Sequence, residues 1–124
     1  MSCIDSRTST KLIFDQGLGD VFSVRIAGNI VNTDVLGSMK FACKVAGSIL
    51  IVVLRHSKCG AVKVTCYHVE MGNLTELLSE IQPAVYQESE TKLDRTAKNE
   101  TFVENVSEIN VKRSVKNIIE SSFV

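Results

Sequence analysis

The chain has 124 residues, a length that predicts one domain with a single hydrophobic core. Hydrophobic residues make up 44% and charged residues 23%, which is typical of a globular protein and excludes a disordered chain. Basic and acidic residues balance at 14 each, so we expect no nucleic-acid partner. The sequence has neither an apolar run long enough to span a membrane nor a signal peptide, so we expect a cytoplasmic protein without a membrane partner.

The first half of the chain predicts alternating strands and helices. Residues 20–26 alternate polar and apolar side chains and run into a turn over 27–29, which predicts a strand. A helix is expected over 34–46, closed by Gly47, because its apolar residues recur at helical spacing. The continuous apolar run 48–54 is typical of a strand buried on both faces, as in parallel sheets that carry helices on each side.

Two further helices are expected between Gly60 and Pro83. The first follows Gly60, carries His68 on its apolar face or on its surface, and is broken at residues 72–73. The second has apolar residues at helical spacing from 74 to 81 and ends at the proline.

The last third of the chain predicts a solvated segment and a long helix. Residues 86–99 are charged and weakly periodic, so we interpret the Lys and Glu residues beyond Tyr86 as a solvated face. A long amphipathic helix is expected from Phe102 to the end, with an irregularity near Asn110. The order of elements predicts an α/β fold: a three-layer sandwich in which helices flank a central, mostly parallel β-sheet, in a single domain over 1–124.

Two short segments carry the polar residues that suggest chemistry. They are Cys3-Ile4-Asp5-Ser6-Arg7 and, at the carboxyl end of the apolar run, His56-Ser57-Lys58-Cys59-Gly60. Loops at the carboxyl ends of parallel strands converge, so Cys3, His56 and Cys59 are expected to meet if Cys3 also ends a strand. Two thiolates and an imidazole form a three-ligand zinc set whose fourth position is free for water, and zinc lowers the pKa of that water.

Asp5 and Arg7 are placed beside this expected zinc set. The guanidinium can hold the carboxylate with paired hydrogen bonds, and the carboxylate can accept a hydrogen bond from the zinc ligand. The alternative interpretation of the first segment is a packed cysteine with a surface ion pair, and the His-x-x-Cys spacing of the second segment also occurs without a metal. Cys43 and Cys66 fall on apolar helix faces and are interpreted as buried structural thiols.

Four blocks of the sequence together resemble the β-class carbonic anhydrases. They are residues 3–7, 19–29, 37–39 and 51–62, and their order and spacing agree with that family from residue 3 to about residue 83. The resemblance implies a zinc enzyme in which zinc-bound hydroxide interconverts carbon dioxide and bicarbonate. It also implies a homodimer or homotetramer.

The resemblance assigns roles to individual residues. Cys3, His56 and Cys59 match the zinc ligands, Asp5 with Arg7 match the catalytic dyad, and the backbone of Gly60 matches a glycine beside the substrate. In some family members the aspartate binds zinc in a closed, inactive state. Asp5 makes such a switch available here.

The chain also departs from the family pattern. Compared with the family, it is expected to lack the N-terminal helical arm, most of the first strand and a late C-terminal strand. We therefore expect either a monomer of low stability or a dimer in which the partner covers the exposed surface. Arg55 stands where the family commonly has glycine, and we expect it to crowd the strand end or alter the field at zinc. Two alternatives therefore stay open: a catalytically silent zinc-binding assembly module, and hydrolysis of a related linear molecule such as carbonyl sulfide or carbon disulfide.

Overall fold

The computed structural model describes residues 1–121, and helices dominate this part of the chain. A 3₁₀ turn spans Ala27–Asn29 and a π-helical turn spans Phe41–Val45. None of the described helices is both long and apolar enough to cross a membrane. The α-helices are α1 (Thr10–Ile13), α2 (Thr33–Lys40), α3 (Gly60–Cys66), α4 (Gly72–Ser79), α5 (Gln82–Gln87) and α6 (Glu100–Glu120).

Three segments pair in parallel around the first two residues of the chain. Ser2 bridges to Arg25 on one side and to Leu54 on the other, so residues 1–2 lie between the other two segments. This pairing brings the end of the first segment, Cys3, next to the end of the run 48–54. Four backbone hydrogen bonds of 2.7–3.1 Å form the pairs: Met1 N to Val52 O, Leu54 N to Met1 O, Ser2 N to Val24 O and Ile26 N to Ser2 O.

The expected central sheet is not confirmed beyond this pairing, because residues 1–121 contain no regular strand. Ile49 is fully exposed and Leu50 is 75% exposed, so the prediction that 48–54 is buried on both faces is wrong. The physical reason is that a strand is buried only where neighbouring strands and covering helices surround it, and residues 49–51 make no backbone hydrogen bond to another described segment.

A groove of about 650 Å³ is lined by Met1 and by residues within 10–24 and 39–54, and we call it the strand groove. Apolar side chains make up much of its lining, and it leads directly to Met1. The strand groove therefore continues the line of the paired residues 1–2. Its apolar lining includes Phe14, Val21, Phe22, Ile49, Leu50 and Val52.

The helix predicted over 34–46 is confirmed, with two local differences. It begins one residue earlier, because the side chain of Asn32 accepts the Val35 amide at 2.9 Å and caps the helix. Its last turn is π-helical, and Gly47 ends it with φ +80°, as predicted. The amide of Ser48 then reaches back to the Ala42 carbonyl at 2.9 Å, the pattern of a glycine-terminated helix.

The two helices expected between Gly60 and Pro83 are confirmed as α3 and α4, and a third helix, α5, begins at Gln82. α3 ends at Cys66, and His68 lies beyond it with φ +54°, exposed, so its expected helical position is wrong. Gly72 begins α4 and does not merely break a helix, and Pro83 lies in the first turn of α5 instead of ending α4. Proline fits there because the first-turn amides have no partner within the helix.

The charged stretch after Tyr86 is not simply a solvated face. The carboxylate of Glu88 is 2% exposed and binds Arg95 at 2.6 Å, with further hydrogen bonds from Thr91 and Asn105. A charged residue is buried here because each carboxylate oxygen has hydrogen-bond donors.

α6 confirms the predicted long helix but corrects one detail. It is continuous through Asn110, whose side chain is buried and donates to the Gly28 carbonyl at 2.7 Å. The polar residue that suggested an irregularity therefore makes a buried contact within an unbroken helix. The last three residues of the predicted helix, 122–124, lie outside the described residues.

The core consists of two clusters, both of which contact α6. The larger packs α3, α4 and α5 against Phe102, Val103 and Val106, and it includes Cys3 and Cys59. The smaller packs Val35 and Met39 of α2 against Ile118. Burial of Cys66 is confirmed, whereas Cys43 is only half-buried beside the second cluster. The larger core thus directly supports both cysteines of the predicted zinc set.

Candidate metal centre

The first ligand segment is a tight loop that follows the paired residues 1–2. The side chain of Thr8 closes it by donating to the Asp5 carbonyl at 2.9 Å. Arg25 fixes the same loop from outside, donating to the carbonyls of Cys3 (3.1 Å) and Asp5 (2.6 Å). The carbonyls of Cys3 and Asp5 thus both have donors, which fixes the direction of the Cys3 side chain.

The second ligand segment connects the run 48–54 to α3. Cys59 is the residue immediately before the first turn of α3, so its sulfur lies close to the free amides at the start of that helix. Lys58, just before it, adopts φ +53°, a conformation uncommon for residues other than glycine. The chain therefore turns sharply between His56 and Cys59, and the two side chains face the same point.

The structure brings the three predicted ligands together. One ligand atom from each of Cys3, His56 and Cys59 lies within 4.8 Å of the others. The two sulfur atoms are 3.9 Å apart and are not joined in a disulfide. Two sulfurs on a tetrahedral zinc at the usual bond length of about 2.3 Å lie about 3.8 Å apart, so the spacing fits that ion.

The hydrogen bonds of His56 also fit a metal ligand. Nδ1 lies 2.8 Å from the Ser57 carbonyl, so this nitrogen carries the proton and Nε2 is left with a lone pair. Nε2 is buried and has no hydrogen-bond partner in the described structure. A buried nitrogen without a partner costs free energy unless a metal or donor occupies the space beside it. The residues present therefore fit a zinc ion.

Asp5 and Arg7 form the expected pair at the edge of this cluster. Arg7 donates to both carboxylate oxygens, at 2.9 and 2.7 Å, and its backbone amide adds a third bond of 2.9 Å. These side-chain and backbone hydrogen bonds hold the pKa of Asp5 well below its usual range. Its Oδ2 lies 3.8 Å from Nε2 of His56, so an acceptor that is ionised at neutral pH faces the ligand cluster.

Burial in the larger core raises the pKa of the Cys59 and Cys66 thiols. It raises the pKa of the Cys59 thiol to about 11, partly offset by backbone hydrogen bonds from Val62 and Ala61. It also raises the pKa of Cys66 to about 11, although Cys66 lies outside the ligand cluster. Cys59 thus resembles an ordinary buried thiol until a cation lies beside it, because a bound metal replaces the thiol proton.

A turn at Gly28 contacts the first ligand. Its amide lies 3.4 Å from the Cys3 sulfur, and its φ is +65°. A Cβ at this position would lie 2.4 Å from Cδ1 of Ile81, so glycine is needed for both backbone and space. The sequence placed Gly28 only in a turn and did not indicate its contact with the thiol.

Arg55 does not crowd the ligand cluster. Its guanidinium turns to α6 and binds Glu104 at 3.0 Å. The sequence predicts a solvated position for Glu104, and nothing local in it indicates a contact across 49 positions. Gly60 is the first residue of α3, and its predicted backbone contact with substrate stays a prediction.

Comparisons with known proteins agree with this geometry. A family model described as carbonic anhydrase matches residues 1–124. Over 72 residues the chain is 49% identical to a carbonic anhydrase of Mycolicibacterium smegmatis and to carbonic anhydrase 2 of Mycobacterium tuberculosis H37Rv. Each match covers 58% of this chain and 35% of the relative, so the matched part is about a third of the relatives' length.

A solved structure shares the fold over most of the described chain. The Coccomyxa β-carbonic anhydrase in complex with acetazolamide superposes with a TM-score of 0.82 at 23% identity, covering 94% of this chain and 54% of that one. The predicted resemblance to the β class is thereby confirmed. On the family match over its whole length, the chain belongs to the carbonic anhydrase family.

Proposed function

We propose that the protein catalyses the zinc-dependent, reversible hydration of carbon dioxide to bicarbonate. The observation that carries the proposal is the position of an ionised Asp5, held by Arg7, 3.8 Å from the unpartnered Nε2 of His56. A purely structural zinc site needs four protein ligands and no adjacent carboxylate, whereas a catalytic site keeps three ligands and an open position.

Cys3, His56 and Cys59 would hold the zinc ion. When bound, zinc supplies Lewis acidity that brings the pKa of a coordinated water towards neutrality. The burial of both cysteines, each at most 4% exposed, keeps solvent away from the sulfur side of the site. The more open side is the one on which Asp5 and Arg7 lie.

Asp5 orients the reacting oxygen. Because the hydrogen bonds from Arg7 keep its pKa low, Asp5 remains a carboxylate at neutral pH and can only accept hydrogen bonds. A donor beside His56 would thus point its hydrogen at Asp5 Oδ2 and its lone pair away from it, towards an incoming carbon dioxide. Arg7 holds the carboxylate in two bonds, so this direction is fixed before substrate arrives.

The remaining features of the proposal concern assembly and location. The exposed apolar strand groove supports a homodimer or homotetramer that covers it. The fold shared with the Coccomyxa structure supports a three-layer α/β sandwich with a mostly parallel sheet. Zinc binding by Cys3 and Cys59 requires reduced thiols, which supports a reducing compartment such as the cytoplasm. Sedimentation of the zinc-loaded protein tests the assembly.

Stopped-flow hydration of carbon dioxide, with zinc measured on the same sample, tests the activity. We expect turnover in the zinc-loaded protein, loss of turnover after zinc is removed by a chelator, and recovery on reloading. Full zinc occupancy without turnover across a wide pH range would contradict the proposal. That result would favour the alternative, a silent zinc-binding module.

A further inference from the structure

Glu104 is the one α6 side chain whose two carboxylate oxygens both bind the segment that carries His56 and Cys59. Its Oε1 accepts the backbone amide of Lys58 at 2.7 Å, and its Oε2 accepts Arg55 at 3.0 Å. The two contacts lie on either side of His56 in the sequence. A single carboxylate therefore fixes both ends of the turn from which His56 projects.

The Lys58 contact continues to the Asp5–Arg7 pair. The carbonyl of Lys58 accepts Nη2 of Arg7 at 3.1 Å, while the same Nη2 binds Asp5 Oδ2 at 2.7 Å. Lys58 holds φ +53°, so its amide faces Glu104 only in a backbone conformation that costs free energy. The charge-assisted hydrogen bond that the Lys58 amide donates to Glu104 offsets that cost and sets the direction of the Lys58 carbonyl.

The ion pair with Arg55 is the weaker of the two contacts. Both side chains are about one-third exposed, 35% for Arg55 and 34% for Glu104, and exposed ion pairs contribute little. The amide of Lys58, in contrast, has Glu104 as its acceptor and belongs to the residue next to Cys59. The hydrogen bond to the backbone should therefore matter more than the charge of Arg55.

α6 provides a rigid base for this contact. Beside Glu104, Phe102, Val103 and Val106 are nearly fully buried in the larger core. Further along the same helix, Asn110 donates to the carbonyl of Gly28, the residue whose amide contacts the Cys3 sulfur. α6 thus contacts both halves of the ligand cluster through backbone groups.

We propose that Glu104 is a positioning residue of the metal centre, which holds the His56–Cys59 turn and, through the Lys58 carbonyl, the Asp5–Arg7 pair in the geometry that binds zinc. The inference deepens the proposed function and rests on it, because the same three ligands must bind the metal. It adds a residue that does not touch the metal.

The experiment compares four variants for zinc affinity by chelator competition and for the visible absorption of the cobalt(II)-loaded protein, which reports ligand geometry. Glu104→Ala removes both contacts, and Glu104→Gln keeps an oxygen for the Lys58 amide but loses the charge. Arg55→Met removes the ion pair alone. Glu108→Gln, on the same helix in an exposed pair with Lys112, is the matched control.

We expect Glu104→Ala to lower zinc affinity by about 10- to 100-fold and to change the cobalt spectrum, as loss of an outer-shell partner does. Glu104→Gln and Arg55→Met should each lose less than about fivefold, since each keeps the Lys58 bond. The control should match the wild type. If Glu104→Ala fails to fold, Glu104→Asp replaces it, because the shorter side chain cannot reach both partners. The zinc affinity and cobalt spectrum of Glu104→Gln should then lie between those of the wild type and those of Glu104→Asp.

Three results would overturn the inference. Wild-type affinity and spectrum in Glu104→Ala would remove any positioning role, and an equal loss in Arg55→Met would assign the effect to the ion pair. A wild-type protein that binds no zinc would overturn the inference and the proposed function together. Zinc binding without hydration activity, in contrast, contradicts only the proposed function.

Discussion

The sulfur atoms of Cys3 and Cys59 lie 3.9 Å apart although the residues are 56 positions apart in the sequence. That spacing suits two ligands of one zinc ion, and we expect about one zinc per chain after dialysis. Cys59→Ser should abolish tight retention, because a serine hydroxyl is a poor ligand for zinc. Cys43→Ser, which changes a cysteine outside the cluster, should retain the wild-type amount. Elemental analysis of the three proteins checks this, and equal zinc in Cys59→Ser would contradict the ligand assignment.

Asp5→Asn should separate metal binding from turnover. The amide keeps the size of the side chain, but its nitrogen donates where the carboxylate accepts, and the paired bonds with Arg7 are lost. We expect hydration activity to fall by about 10- to 100-fold with zinc content unchanged, the usual effect of changing an outer partner of a metal site.

Stopped-flow assays at matched zinc occupancy measure this effect. Asp34→Asn, an exposed aspartate in the first turn of α2, is the control and should keep wild-type activity. If Asp5→Asn is as active as the control, the carboxylate has no role in orienting the reacting oxygen.

Gly28→Ala should destabilise the fold through two separate effects. The residue has φ +65°, and an added Cβ would lie 2.4 Å from Cδ1 of Ile81. Left-handed backbone strain together with overpacking should lower the free energy of unfolding by about 3 kcal/mol. Urea denaturation measures the loss.

The double variant Gly28→Ala/Ile81→Val distinguishes the two effects. Valine lacks the Cδ1 atom that the new methyl group meets, so the double variant should be about 1 kcal/mol more stable than the sum of the single variants predicts. The backbone strain should remain. Additive losses would mean that the side chain of Ile81 moves aside without cost.

The buried carboxylate of Glu88 should make stability depend on pH. Burial raises its pKa, but hydrogen bonds from Thr91, Asn105 and Arg95 outweigh burial, so the net pKa is lowered. The Glu88 carboxylate therefore binds a proton more readily in the unfolded chain than in the folded one. Its contribution to the free energy of unfolding is complete above the ordinary glutamate pKa and is lost as the pH falls below that value. Glu88→Gln should cost about 2 kcal/mol near pH 7, because Arg95 loses its buried partner.

Unfolding curves at several pH values check this dependence. The difference between wild type and Glu88→Gln should shrink as pH falls from about 6 to about 3, because the glutamine does not titrate. Glu108→Gln changes an exposed carboxylate whose pKa is lowered by its hydrogen bond with Lys112, and its effect on stability should be small at every pH. A constant difference for Glu88→Gln would contradict the interpretation.

The metal centre could be predicted from the sequence because its information is local. Cys3 and the pair His56 and Cys59 are residue types that zinc prefers, and each lies where a segment ends. The turn at Gly28 and the helix end at Gly47 could be predicted for the same reason: glycine tolerates the positive φ that both adopt.

The features that could not be predicted depend on distant partners. Glu104 is one of several charged residues on a helix, and only folding shows that it meets Lys58, 46 positions earlier. Asn110 interrupts the apolar pattern of α6. From the sequence alone, that interruption looks the same whether the helix is irregular there or, as found, the side chain makes a buried contact with Gly28. The apolar run 48–54 predicts burial, but burial needs neighbouring strands that are absent along residues 49–51 in the described structure.

The strand groove has a consequence for the protein in concentrated solution. Ile49 and Leu50 expose apolar side chains on a backbone whose amides and carbonyls have no partner in the described structure, a combination that invites edge-to-edge aggregation between molecules. We therefore expect this edge to lower the solubility of the protein. A lysine in place of Ile49 would interrupt that edge while leaving the metal centre, at the opposite end of the run, untouched.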